Sequence, residues 1–256
     1  MKRFLSFLCI AFLIISCSED DSSNPTNSGP DVTANQQALG SSSLDLLSDD
    51  EFTSMVVELV YVEGFEPTQT AINNFKTFLE DRTHKPDGIV IESRSIPSPG
   101  FSPYTTAEIV DIENDNRTKF NNGSQIAVWA FFADGNAEGD TSNQFTLGTA
   151  YRNTSFVIYE NTIQDLSGGL SQPSQSVLET AVIHHEFAHI FGLVNIDLPM
   201  QTPHEDADSD RHCNVDGCLM QANAETGSGM MGTVSGGTIP TLDDLCIADL
   251  QANGGK

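Results

Sequence analysis

One stretch of this 256-residue chain constrains everything around it. From Ser174 or Ser176 to about Phe191, apolar residues recur at helical spacing around His185-Glu186-Phe187-Ala188-His189. Leu178, Ala181, Val182, His185, Ala188 and His189 share one helix face, and Gly192 is a natural stop. Two histidines four residues apart stand one above the other, so their imidazoles converge on a single ion. Glu186, one step round, points toward the position a catalytic zinc leaves open, where it can take a proton from water. His184 points about 100° away from His185 and reads as structural. A catalytic zinc needs three protein ligands, so the fold must carry another segment to this helix.

The continuation Ile190-Phe191-Gly192-Leu193-Val194-Asn195 resembles the metzincin pattern HExxHxxGxxH, with Asn195 in the place of the third histidine. An amide is a poor zinc ligand. Further on, His212-Cys213-Asn214-Val215-Asp216-Gly217-Cys218-Leu219-Met220 resembles the archaemetzincin HCxxxxCxM segment, which begins at the third zinc histidine and ends in the methionine of the Met-turn. The resemblance spans roughly Thr180 to Lys256 and implies an insertion, Ile196 to Arg211, before the third ligand. It makes His185, His189 and His212 the ligands of one Zn2+, Glu186 the general base and Met220 the apolar floor. His204 is the rival third ligand and Asp206 a weaker one. The implied fold class is α+β: a metzincin-like zincin domain with a mixed twisted sheet, an active-site helix and a loop-rich C-terminal subdomain.

Two departures bear on the cysteines and the acids. Archaemetzincins carry a further CxxC that completes a four-cysteine second zinc site, whereas this chain offers Cys213, Cys218 and Cys246. In an oxidising compartment, a disulfide from Cys213 to Cys218 or to Cys246 is expected in its place. Asp206, Asp208 and Asp210 alternate like a Ca2+ loop, but Arg211 replaces the glycine needed at the sixth position, which favours a solvated acidic loop.

Upstream the pattern supports such a domain. Ser54 to Glu63, Gly88 to Glu92, Gln125 to Phe132 and Ser155 to Tyr159 read as strands, and Thr68 to Arg82 and Tyr104 to Ile112 as helices, with Thr68 an N-cap. That alternation favours a mixed sheet with helices packed on it. A last helix is predicted over Asp243 to Gln251. Ser155 to Tyr159 is the predicted sheet edge against which a substrate peptide would lie.

The N-terminus reads as an address. Lys2 and Arg3 precede an apolar run from Phe4 to Ile15, too short for a membrane span, which has the form of a secretory signal. Ile14-Ile15-Ser16-Cys17 resembles a bacterial lipobox, which implies cleavage before Cys17 and lipidation of its thiol. Ser18-Glu19-Asp20-Asp21 resembles the export tag of Bacteroidetes surface lipoproteins, and solvated linker chemistry explains the same residues. The expected layout is residues 1–16 signal peptide, 17–43 disordered tether and 44–256 zinc metallopeptidase domain. The expected location is the bacterial outer membrane, held through the N-terminal lipid only.

Charge narrows the partners. With 11 Lys+Arg against 36 Asp+Glu, the net charge is -25. So acidic a surface repels a phosphate backbone, which excludes nucleic acid. From Val177 onward the only basic residues are Arg211 and Lys256, which predicts a preference for cationic peptides. The sequence therefore reads as a zinc endopeptidase resembling Bacteroidetes lipoprotein metalloproteases. The alternatives are a non-catalytic, surface-tethered binding module with a structural zinc, and a gluzincin-type enzyme using Glu225.

Overall fold

The structure, a computed structural model, describes residues 32–170, 172–222, 234 and 237–256. Residues 1–31, which include the expected signal peptide and Cys17, lie outside the described residues, as does Glu225. Among the described residues no helix is long and apolar enough to cross a membrane.

After the short α1 (Ser43–Leu47), strands and helices alternate: β1 (Ser54–Val62), α2 (Gln69–Arg82), β2 (Ile89–Ile96), α3 (Thr106–Asn116) and β3 (Gln125–Phe132). Then come β4 (Gly148–Arg152), β5 (Ser155–Ile158), α4 (Glu160–Asp165) and α5 (Gln175–Ile190). A small hairpin, β6 (Glu205–Asp206) with β7 (Ser209–Cys213), and α6 (Asp244–Ala252) follow among the described residues. Local chemistry sets these boundaries. The side chains of Thr68, Ser174 and Asp243 accept backbone N–H groups at the starts of α2, α5 and α6, and Thr105 with Glu108 forms a capping box on α3.

The main sheet has the order β2-β1-β3-β5-β4, parallel except for β4, which runs antiparallel to β5. Side chains alternate across it. Met55, Val57 and Leu59 with Ile126, Val128, Ala130 and Phe132 pack on the side of α2 and α5, while Val60, Val62, Trp129 and Phe131 join α3 on the other. Phe187 from the middle of α5 seats its ring 5.1 Å from Phe75 and 6.1 Å from Phe156. Burying an aromatic ring there contributes about 2–3 kcal/mol and fixes the helix's rotation.

Two expectations are corrected. The stretch Ser155 to Tyr159 is not the sheet edge. β4 covers it, and Gly-Thr-Ala-Tyr-Arg has none of the β-branched alternation that marks a strand in sequence. The described part of the tether, Val32 to Ser43, packs on the domain. Asn35 is fully buried, donating to the Ala127 carbonyl at 3.0 Å and accepting from the Asn121 N–H at 2.9 Å. Asn153 donates to the Ala34 carbonyl and the Ser42 hydroxyl, both at 2.8 Å. Its polar composition provides partners for buried backbone groups as well as for water.

Candidate metal centre

α5 is buried around most of its circumference, and its last two turns carry the histidines. His184 turns away, stacking on Phe78 with ring centroids 4.3 Å apart, and burial lowers its pKa to about 4. His185 and His189 face the opposite way, their Nε2 atoms 3.0 Å apart. The third imidazole is His212, on β7. One nitrogen from each of the three rings lies within 4.8 Å of the others. His204 is not among them. Its Nδ1 is 2.9 Å from the Thr202 carbonyl, and its Nε2 lies 3.5 Å from Cys246 Sγ and 3.6 Å from Asp249 Oδ2.

The donor set fits zinc. A carbonyl oxygen can only accept, so His185 Nδ1, 2.8 Å from the Leu219 carbonyl, and His212 Nδ1, 2.9 Å from the Asp210 carbonyl, both carry their protons. That fixes the tautomer and leaves each Nε2 with its lone pair for a metal. Nitrogens about 2.0–2.1 Å from a tetrahedral zinc stand about 3.3 Å apart, so the 3.0 Å between the His185 and His189 Nε2 atoms needs little adjustment.

His189 and His212 open onto a cavity of about 190 Å³ whose walls also include Glu186, Gly148 and Arg211. β4 forms one side. A methyl group at Gly148 would fall 2.6 Å from Glu186 Cγ, so only glycine lets the carboxylate lie against the strand. Leu39, from the segment assigned to the tether, lines the cavity too. Met220 is fully buried next in sequence to Leu219, whose carbonyl orients His185.

Asn195 has a use that its misfit to the metzincin pattern did not reveal. After the turn at Gly192 (φ 82°), Val194 and Asn195 both take left-handed backbone, at φ 55° and 63°. Asn195 Nδ2 then donates to Glu205 Oε2 at 2.8 Å, and Glu205 Oε1 accepts the Arg211 N–H at 2.8 Å. The inserted segment is thereby tied back to the glycine turn, and the next residue it delivers is His212. The acidic run inside it forms the β6–β7 hairpin. Among the described residues, neither metal-capable group includes Asp206, Asp208 or Asp210.

The second such group replaces the expected disulfide. Cys213, Cys218 and Cys246 are all free and buried, with Cys218 Sγ and Cys246 Sγ 3.8 Å apart. Asp243 joins them in a cluster able to hold an ion. Its signal in the sequence was Asp243-Asp244-Leu245-Cys246, a CxxC spacing with aspartate first. Hydrogen bonds from Cys213 and Cys246 hold the Cys218 thiol far below its ordinary range. The thiols of Cys213, bonded to Cys218, and Cys246, bonded to Cys213, are pushed up. Backbone N–H groups of Val215 and Met220 reach the Cys213 and Cys218 sulfurs at 3.4 and 3.3 Å, which favours thiolates.

A mixed sheet, a buried helix with two histidines and a third histidine returned by a hairpin define a metzincin-like zincin fold. The crystal structure of archaemetzincin from Methanopyrus kandleri is similar, with a TM-score of 0.52, 17% identity, and coverage of 78% of this chain and 96% of that one. Metalloproteinase-II from Bacteroides fragilis is 14% identical with a TM-score of 0.41, the match covering 87% of this chain and 58% of that one. No protein-family model and no curated sequence matches.

Proposed function

We propose that this chain is a zinc-dependent endopeptidase that hydrolyses peptide bonds with Glu186 as general base. The supporting observation is three clustered imidazoles, two of which, His189 and His212, line an open cavity that also holds a carboxylate and borders an edge strand. His185, His189 and His212 would hold the metal. Bound zinc would supply a Lewis acid that polarises a carbonyl and acidifies water toward a pKa of about 7. The carbonyls of Leu219 and Asp210 keep the His185 and His212 rings aimed. Glu186 would take a proton at its carboxylate from the water whose oxygen adds to the scissile carbonyl carbon, and return that proton to the amine nitrogen as the C–N bond breaks. The outer edge of β4 lets a substrate add as a further strand, its amide beside Glu186.

The thiol cluster with Asp243 would take a second, structural ion, since four donors enclose it and leave no open position. Purified protein should then hold about two zinc ions and cleave casein. Glu186→Gln should keep both ions and lose at least about a hundredfold in kcat. Retained cleavage in that variant would overturn the general-base role, and full metal loading with no cleavage by the unaltered protein would favour a binding module.

We also propose export, lipidation at Cys17 and anchoring in the outer membrane, a reading supported by the Lys2-Arg3 start, the apolar run and the Ile14-Ile15-Ser16-Cys17 sequence. Cys17→Ala should shift the protein from the membrane pellet to the soluble fraction of an expressing cell, and unchanged sedimentation would refute the anchor.

A further inference from the structure

The cavity beside the three histidines contains one permanent cation, and the backbone is bent to place it there. In a regular strand, neighbours point to opposite faces, so Arg211 and His212 would be separated by β7. They are not: both line the cavity. The register of the hairpin shifts from Glu205–Cys213 to Asp206–Ser209, leaving extra residues on β7, and Arg211 sits in this bulge with φ 67°. Bulges re-aim side chains in this way. A long side chain rarely takes left-handed backbone, and such a residue persists when its surroundings hold it. Here Glu205 holds the Arg211 N–H, and Asn195 holds Glu205.

The charge distribution gives the bend a purpose. Acids outnumber bases 36 to 11 in the chain, and Arg94, Arg117, Arg152 and Lys119 each pair with a glutamate. Among the described residues, no hydrogen bond or ion pair engages the Arg211 guanidinium. Apart from Glu186 and the two imidazoles, its neighbours on the cavity wall, among them Thr146, Thr149 and Ile196, are uncharged.

We infer that Arg211 is the specificity-determining residue of this cleft and recruits a carboxylate of the substrate, carried either on an acidic side chain or at a free C-terminus. The inference rests on the peptidase reading and names the substrate class for it. Its planar fork binds a carboxylate through two parallel hydrogen bonds. The acidic surface, which by itself points to cationic peptides, acts through solvent that screens charges over about 8 Å at physiological salt. A direct contact inside the cleft outweighs it.

Matched peptides of one length separate these forces: a neutral amidated peptide, the same peptide with central glutamates, the same with a free C-terminus, and a lysine version. Affinities are measured by fluorescence anisotropy on zinc-loaded Glu186→Gln protein, and cleavage on the unaltered protein. One or both carboxylate-bearing peptides should bind about tenfold tighter than the neutral one, the loss or gain of one charged hydrogen-bonded pair, and which does so identifies the source of the carboxylate. Arg211→Gly, which accepts the left-handed backbone, should erase the preference, and Arg211→Lys should restore part of it. Equal affinities, no measurable binding, a preference for lysine, or a preference that survives Arg211→Gly would overturn the inference. The peptidase reading fails separately: carboxylate-selective binding with no cleavage of any peptide would sink it and leave the role of Arg211 standing.

Discussion

Two clusters of side chains able to hold an ion meet at one strand, and their surroundings differ. His189 and His212 line a cavity of about 190 Å³, with His185 grouped beside them, whereas Cys213, Cys218 and Cys246, clustered with Asp243, are at most 3% exposed. Consecutive residues of β7 serve both, because His212 and Cys213 point to opposite faces of the strand. The 218–220 segment is shared as well: Cys218 belongs to the thiols while the Leu219 carbonyl orients His185. A closed site with a full set of donors is a staple, and an open one does chemistry. The geometry of the open site is therefore expected to depend on the closed one more than the reverse.

The largest expected effect separates the two histidines of the insertion. His212→Ala should empty the open site and abolish peptide hydrolysis, since two imidazoles are one ligand short of a catalytic zinc. His204→Ala should leave that ion in place, because His204 lies beside Cys246 and Asp249. Zinc stoichiometry of the two variants decides it, and an empty open site in His204→Ala would overturn the assignment.

Cys246→Ala tests the dependence between the clusters. It should release the structural ion, lower stability on the order of 3 kcal/mol, about 10 °C in Tm for a domain of this size, and weaken zinc binding at the histidines about tenfold. His189→Ala should leave the thiol ion untouched. Equal cross-effects in both directions, read by chelator titration, would show that neither cluster supports the other.

What was legible in the sequence follows the same division. β1, β3 and α5 announce themselves because burial on both faces of a strand or around a helix requires long apolar runs, and the helix pair His185 and His189 follows from a four-residue spacing. His212 was found only through resemblance, because its distance from His189 along the chain is set by an insertion of no fixed length. β4 was missed for a physical reason: an edge strand packed on a carboxylate needs a glycine at Gly148 more than it needs β-branched residues. The thiols were misread as a disulfide because sequence shows that three sulfurs exist, and only the fold shows that Asp243 stands with them. The polar stretch that holds Asn35 reads as a tether, since a buried asparagine that satisfies backbone groups looks in sequence like a solvated one.

Asn195 carries the smallest and most local test of the comparison. Its amide bonds Glu205 on the exposed side of the hairpin, so the contact is a single charged hydrogen bond that solvent weakens, contributing about 1 kcal/mol. Asn195→Ala should leave the thiol cluster and the fold intact, since neither touches that amide. It should loosen the segment that delivers Arg211 and His212, and so lower zinc affinity at the open site about fivefold. Asn195→Asp, which sets a second carboxylate against Glu205, should weaken it further. If instead both variants release the thiol ion first, the insertion braces the closed cluster, and support between the two sites runs from the open site to the closed one.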